Sequence, residues 1–465
     1  MADPRGPRRR DFLSACGHAA LGVAALGLGG AVAGCGAGRF GVGARPPTAS
    51  HAGYLRSDLV DRFREQRRQG QPFLAGAARL CITPPDLRRV WLAGFGFERR
   101  ARGVLDPIWV RAFFFDDGEQ PLWLISADLV GFQLPTVQRI RQLISPRWGQ
   151  NAIVCATHNH DGPDTVGFWG PSFMFLLPVQ SGVDRTYLTW LERAVATCAL
   201  RAVQTAVPAT LRLGTATVPE DLVVNLRQPG HFDKQVTVVQ AVAAGGRPIG
   251  TLASFACHAE AMADSNPYVS ADFPGFMYQT VERATGGVCG FFQGPEGAMV
   301  TSTFDKHASL AARYRYTQKL GRALGRRVLR GLAAARPLRG TGIAVRRTAV
   351  RYPISTDMFR LIDKFKLPLV ERSLANGAME SEVAVARLGA LTMAAVPGEP
   401  SPDIGFRARD LLTGEHRLVL ALSNDEVGYL LTREQFQDQR YGYEAGVSPG
   451  PEAGDLTLQA LRGLA

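Results

Sequence analysis

The chain has 465 residues, of which 46% are hydrophobic and 20% charged, with 51 glycines and 29 prolines. That composition excludes a fibrous or disordered polymer and suits two or three average domains or one long α/β unit. The formal net charge of +12 favours anionic lipids or envelope polymers as contacts, while the lack of Lys/Arg runs with interleaved aromatics predicts no nucleic acid partner.

Residues 1–35 read as a targeting segment. Arg8-Arg9-Arg10-Asp11-Phe12-Leu13 resembles a twin-arginine export signal, and the apolar stretch from Ala19 to Ala33 is too short and too weakly apolar to span a bilayer. Val32-Ala33-Gly34-Cys35 resembles a lipobox, which predicts acylation of Cys35 and attachment to a membrane surface in the cell envelope or periplasm. Cleavage after Ala31-Val32-Ala33 with release of a soluble secreted product is the alternative. Losing this segment removes four arginines and two aspartates, so the exported chain keeps a charge of +10. Of seven cysteines, Cys16 and Cys35 fall in the leader. The other five form no C-x-x-C and are odd in number, which argues against a disulfide framework or a thiolate zinc site.

Residues 36–74 read as a tether and a charged helix, "RSDLVDRFREQRRQG", and the folded domain is expected over 75–465. "VRAFFFDDG" and "PLWLISADLVG" read as strands around the turn pair Asp117-Gly118, "PTVQRIRQLIS" as a helix and "NAIVCATH" as a strand. The helix "RTYLTWLERAVATCALRAVQTA" follows, then the strands "ATLRLGTATV", "QVTVVQAVA" and "PIGTLASFACHA". A basic helix over 310–335 comes next, then the alternating strand "GIAVRRTAVRYPI" and a helix over 361–375. The strands "VAVARLGALTMAAVPGE" and "HRLVLALSND" complete the pass. This alternation predicts an α/β domain of mixed β-sheets covered by helices.

Only 8 histidines occur, and "ATHNHDGPDT" places His158 and His160 two apart after an apolar run. On a strand that spacing puts both imidazoles on one face, in one cleft. His258, Glu399 and Tyr429 also follow apolar runs, and two imidazoles, a carboxylate and a phenol make an N/O donor set suited to zinc. Each also has a plain structural reading: a satisfied histidine, a turn carboxylate, a packing tyrosine.

Ten segments in order resemble the neutral, non-lysosomal ceramidases. They are "LAGFG", "RAFFFDDG", "SADLVG", "ATHNHDGPDT", "NLRQP", "GRPIGTLASFACHAE", "SADFPG", "QGPEGAM", "VPGE" and "GYLLTREQF…YGYE". The resemblance implies a ceramidase-like catalytic domain with zinc on His158, His258, Glu399 and Tyr429. It implies that His160 handles protons beside the metal, that Tyr441, 12 residues after Tyr429, polarises the scissile carbonyl, and that Arg227 orients substrate. Three departures stand against it. Leu226 occupies the position directly after Asn225 where the family carries Arg. Val300 falls where the family places a serine facing the site, with Ala298 at the preceding Asp/Asn, unless a shift of register brings in Thr301 or Ser302. The chain also leaves little space for the family's immunoglobulin-like C-terminal domain.

The expectation is a zinc-dependent hydrolase that cleaves the amide bond of an N-acyl lipid. A zinc hydrolase for another ester or a cell-wall amide, and a non-catalytic envelope protein that keeps a metal, are the alternatives.

Overall fold

The computed structural model describes residues 55–67, 72–174, 177–303, 308–367, 369–372 and 374–465. The export signal, Cys35 and the stretch up to residue 54 lie outside the described residues. The charged helix forms as α1 (Asp58–Glu65), and it docks on the domain: Val60 is buried, Phe63 packs edge-on against Phe114, and Arg64 and Arg67 both hold the Asp116 carboxylate.

The central element is the hairpin of β2 (Trp109–Asp116) and β3 (Pro121–Ala127), preceded by β1 (Leu74–Cys81) and turned at Gly118 with φ +96°. Its sequence is apolar at nearly every position, so both faces are buried. Val110, Ala112 and Phe114 face α2 (Leu134–Ile144) and α3 (Arg185–Gln204), which lie on either side of β4 (Ala152–Ala156) in the chain. Phe113 and Phe115 point the other way, into a core shared with a second sheet. Beyond it come β5 (Val207–Thr217), the short β6 (Val223–Asn225), β7 (Gln235–Ala243) and β8 (Pro248–Phe255), then α4 (Asp272–Thr285), β9 (Val288–Gln293), the short β10 (Val300–Ser302) and α5 (Leu310–Ala334). The large sheet runs β9-β8-β7-β5-β1-β2-β3-β4, with β8–β9 and β3–β4 parallel and the other neighbours antiparallel.

The second sheet runs β11 (Ile343–Pro353), β12 (Ala378–Leu388), β13 (Leu391–Ala395) and β15 (His416–Leu420), with β13–β15 parallel. Between the last two lie β14 (Glu399–Pro400) and α6 (Pro402–Leu411). After β15 come β16 (Tyr429–Leu430) and α7 (Ala453–Arg462). Ala384, Ala386, Leu388, Leu391 and Met393 pack against the large sheet, while Val383, Ala394, Ile404, Ala408, Leu458 and Leu461 form a core with the outer helices. The result is a four-layered α/β/β/α arrangement of mixed sheets, as the alternation predicts.

Three expectations change. The strand expected to run through the first histidines stops at Ala156, and that expected to carry His258 stops at Phe255. The helix expected over 361–375 spans Asp357–Phe365, closed by Lys366 in a left-handed φ of 48°. Helices α4, α6 and α7 were not anticipated. The five cysteines of the domain are all free and buried, consistent with the absence of a disulfide framework.

Candidate metal centre

His158, His258, Glu399 and Tyr429 all lie just beyond the carboxyl ends of strands, after β4, β8, β13 and β15, where open α/β sheets place their ligands. Short pairings bring these loops together. An isolated bridge joins Asn159 to Ala259, His160 N–H donates to the Ala259 carbonyl at 3.0 Å, and β14 pairs in parallel with β16 so that Glu399 sits beside Tyr429. The buried side chain of Gln293, at the end of β9, donates to the carbonyls of Thr157 at 3.0 Å and Cys257 at 2.7 Å, and accepts from Cys257 N–H at 3.1 Å. One amide thereby fixes the backbone immediately before both histidines.

The two imidazoles are oriented alike. Nδ1–H of His158 donates to the Val130 carbonyl at 2.9 Å and Nδ1–H of His258 to the Val300 carbonyl at 3.0 Å. A carbonyl can only accept, so each ring turns its Nε2 away from the backbone and into the site, the orientation usual in metal-binding histidines. Both Nε2 atoms converge on Glu399 Oε2, at 3.3 and 3.1 Å. The Tyr429 hydroxyl lies 3.5 Å from His258 Nε2. Burial works against ionisation of Glu399, but the two rings outweigh it and hold its carboxyl well below the ordinary range.

The same-face argument for His158 and His160 needs correction, because neither is on a strand. His158 adopts φ +59°, unusual for a residue with a side chain, and this turn rather than strand alternation brings the two rings to 4.8 Å between centroids. His160 is buried, among the described residues neither of its ring nitrogens is hydrogen-bonded, and its Nδ1 faces Glu260 Oε2 at 3.6 Å. Phe95 packs on it edge-on, and a side chain at Gly94 would collide with the ring. Burial, with the neighbouring His158 and His258, keeps His160 neutral by pulling its pKa well down.

The donor set fits a divalent cation. His158, His160 and His258 form one group able to hold a metal, and His158, Glu399 and Glu426 a second that shares His158. Glu296 is fully buried, and among the described residues neither of its carboxylate oxygens is hydrogen-bonded to another residue. Burial and then the Glu399 charge push Glu426 up to about 8 and Glu296 upward too. Buried carboxylates lacking counter-charges around inward-turned imidazole nitrogens are the environment a cation relieves.

The remaining expected residues separate. Arg227 reaches the rim, where its Nε donates to Glu444 Oε1 at 2.6 Å. The Tyr441 hydroxyl instead accepts from Gln435 Nε2 at 3.4 Å, and its electrostatic neighbours are Asp403, Arg440 and Glu444. Tyr443, two residues on, packs against Tyr429 at 5.9 Å, and the Glu399, Glu444 and Glu260 carboxylates add to burial in raising its pKa. Its side chain is partly exposed, at 44%. Val300 turns its side chain into the core, whereas the Thr301 hydroxyl hydrogen-bonds Glu260. Gln293, Glu260, Glu426 and Tyr443 were missed by the sequence reading. The only sequence signals for them are their places within "FFQG", "HAEAM", "NDEVGY" and "YGYE".

An α/β fold with a buried histidine–carboxylate group at its strand ends defines the class. No protein-family profile matches the chain. Among solved structures it shares the fold of neutral ceramidase from Pseudomonas aeruginosa, with TM-score 0.69 at 18% identity over 84% of this chain and 74% of that one. A ceramidase complexed with C2 aligns with TM-score 0.69 at 17% identity over the same shares of both chains.

Proposed function

We propose that the chain is a zinc-dependent hydrolase that cleaves the amide bond of an N-acyl lipid, with His158, His258, Glu399 and Tyr429 holding the metal. The observation that carries this reading is the convergence of two carbonyl-oriented Nε2 atoms on Glu399 with an unpartnered, neutral His160 alongside. The fold shared with neutral ceramidase supports it. When bound, zinc polarises a carbonyl and lowers the pKa of a coordinated water to about 7.

The chain's own residues supply the rest. His160 takes up a proton at a free ring nitrogen and returns it to the leaving amine, because burial keeps it neutral at rest. A tyrosine hydroxyl donates to the carbonyl oxygen as charge develops there, and we assign this to Tyr443 rather than Tyr441. Arg227, held by Glu444, orients the substrate at the rim. Export through the twin-arginine signal and attachment at Cys35 complete the proposal, placing the enzyme on the envelope membrane that supplies its substrate. Ceramide itself is disfavoured, since the position of the family's serine is taken by Val300, whose side chain is inside the core.

The test offers zinc-loaded protein N-acyl amide lipids, ester analogues and muropeptides in parallel. Zinc-dependent release of fatty acid from the amides is the expected result. Turnover only of esters or muropeptides would change the substrate, and metal binding without turnover of any would make the protein a non-catalytic metal-containing one.

A further inference from the structure

We propose that the outward face of α5 is a docking surface for an anionic lipid bilayer. From Lys306 to Thr356 the sequence holds thirteen Lys/Arg and no Asp or Glu, so the rest of the chain is within one unit of neutral. The fold turns this bias into a stripe. The inner face of α5 buries Leu320, Leu324, Val328 and Leu332. Gly321, Gly325 and Gly331 let it lie close on α4 and β7, since a Cβ at any of them would run into Phe273, Thr280 or Val238.

The opposite face exposes Arg315, Lys319, Arg322, Arg326 and Arg330. Their successive spacings of four, three, four and four keep them on one line, about 22 Å long at 1.5 Å per residue. Among the described residues none of these five has a carboxylate within ion-pair distance. Elsewhere exposed arginines such as Arg88, Arg433 and Arg440 face carboxylates of their own. Five like charges in a self-repelling row gain most from an extended anionic partner.

Two observations favour a bilayer over a nucleic acid. The exposed row carries no aromatic for base stacking, because Tyr314 is half-buried edge-on against Phe276 and Tyr316 packs against the core under α5. The amino-terminal end of α5 is also tied to a loop cluster with an apolar tip. Arg313 donates to Ser265, Arg99 to the Asn266 carbonyl, and Ser172 N–H to Glu98. The hairpin begun by Ser172 presents Phe173 and Met174, 63% and 69% exposed, which a lipid surface can accept and a polyanion cannot.

This inference goes beyond the hydrolase reading and stands or fails separately from it. The experiment compares the full chain with its Arg322→Gln/Arg326→Gln/Arg330→Gln variant, both carrying Cys35→Ser so that no acyl chain contributes. Sedimentation with vesicles of phosphatidylcholine alone and of phosphatidylcholine with phosphatidylglycerol is the readout. The unaltered face should partition onto the anionic vesicles only, and the variant should bind them roughly a hundredfold more weakly. Raising salt from about 0.1 M to about 1 M, which shortens the screening length from roughly 10 to roughly 3 Å, should release the protein. An Arg88→Gln/Arg433→Gln/Arg440→Gln control should bind as before, and metal content should be the same in all forms. Equal partitioning of the triple variant, no preference for anionic vesicles, or tighter binding of duplex DNA than of vesicles through the same three arginines would overturn the proposal.

Discussion

At the scale of single residues, the centre depends on which ring nitrogen is left free. His158→Ala or His258→Ala removes an oriented donor, so both metal content and stability should fall, because metal binding and folding are coupled. Metal analysis with thermal unfolding checks this, and full occupancy in the double variant would remove the site. His160→Ala, by contrast, should keep the metal and reduce turnover by roughly 10²- to 10⁴-fold. Tyr443→Phe should lower turnover while leaving substrate affinity nearly unchanged, and Tyr441→Phe, with its hydroxyl on Gln435, should affect stability only. The reverse pattern would restore Tyr441 to the chemistry. Val300→Ser should not create a site hydroxyl. It places a polar group in the core at a cost of about 1–3 kcal/mol, and denaturant unfolding reads that loss.

At the scale of elements, the strand-end loops are aligned by a few buried polar groups. Gln293 is the clearest, since Gln293→Leu leaves the Thr157 and Cys257 carbonyls unpaired near both histidines. Such a change should weaken zinc affinity by roughly 10- to 100-fold, as expected of groups that orient metal ligands, and zinc-buffer titration measures it. Asp106 serves α4 in the same way, accepting from the Ser270 hydroxyl at 2.7 Å and from Ala271 N–H at 2.8 Å. Burial pushes its carboxyl up to about 6 from 3.8. The folded chain therefore keeps a proton that the unfolded chain releases, and stability falls as pH rises through that window. Asp106→Asn, which cannot ionise, should flatten the decline between pH 4 and pH 7, and an unchanged slope would assign the decline to other groups.

At the scale of the whole molecule, the two sheets are joined by apolar packing and by buried ion pairs. Arg141 of α2 holds the Ala152 carbonyl at 3.1 Å and Glu382 of β12 at 2.7 Å. Glu382→Gln leaves a buried guanidinium uncompensated, which costs about 3–5 kcal/mol. Chemical denaturation should show one cooperative transition shifted by that amount. Loss of the second sheet alone, with the histidines still bound to metal, would mean the layers fold independently.

Much of the architecture was legible in order and kind. The alternation around Asp117-Gly118, the run from Arg185 and the alternating 342–354 strand each carry their period within a few residues, and local period is what a sequence displays. The candidate ligands His158, His258, Glu399 and Tyr429 were legible as types at the ends of apolar runs. What tertiary structure decided was which atoms meet. The left-handed turn at His158, the Gln293 amide between two loops, the packing of Tyr443 against Tyr429, and the burial of Val300 beside an engaged Thr301 all depend on loops from distant strands closing on one another. Hydrogen bonds between segments a hundred or more residues apart leave no period in the chain. The +12 charge likewise stands in the composition, but the alignment of five of its cations in one stripe follows from three glycines and an apolar face that fix which side of α5 looks outward.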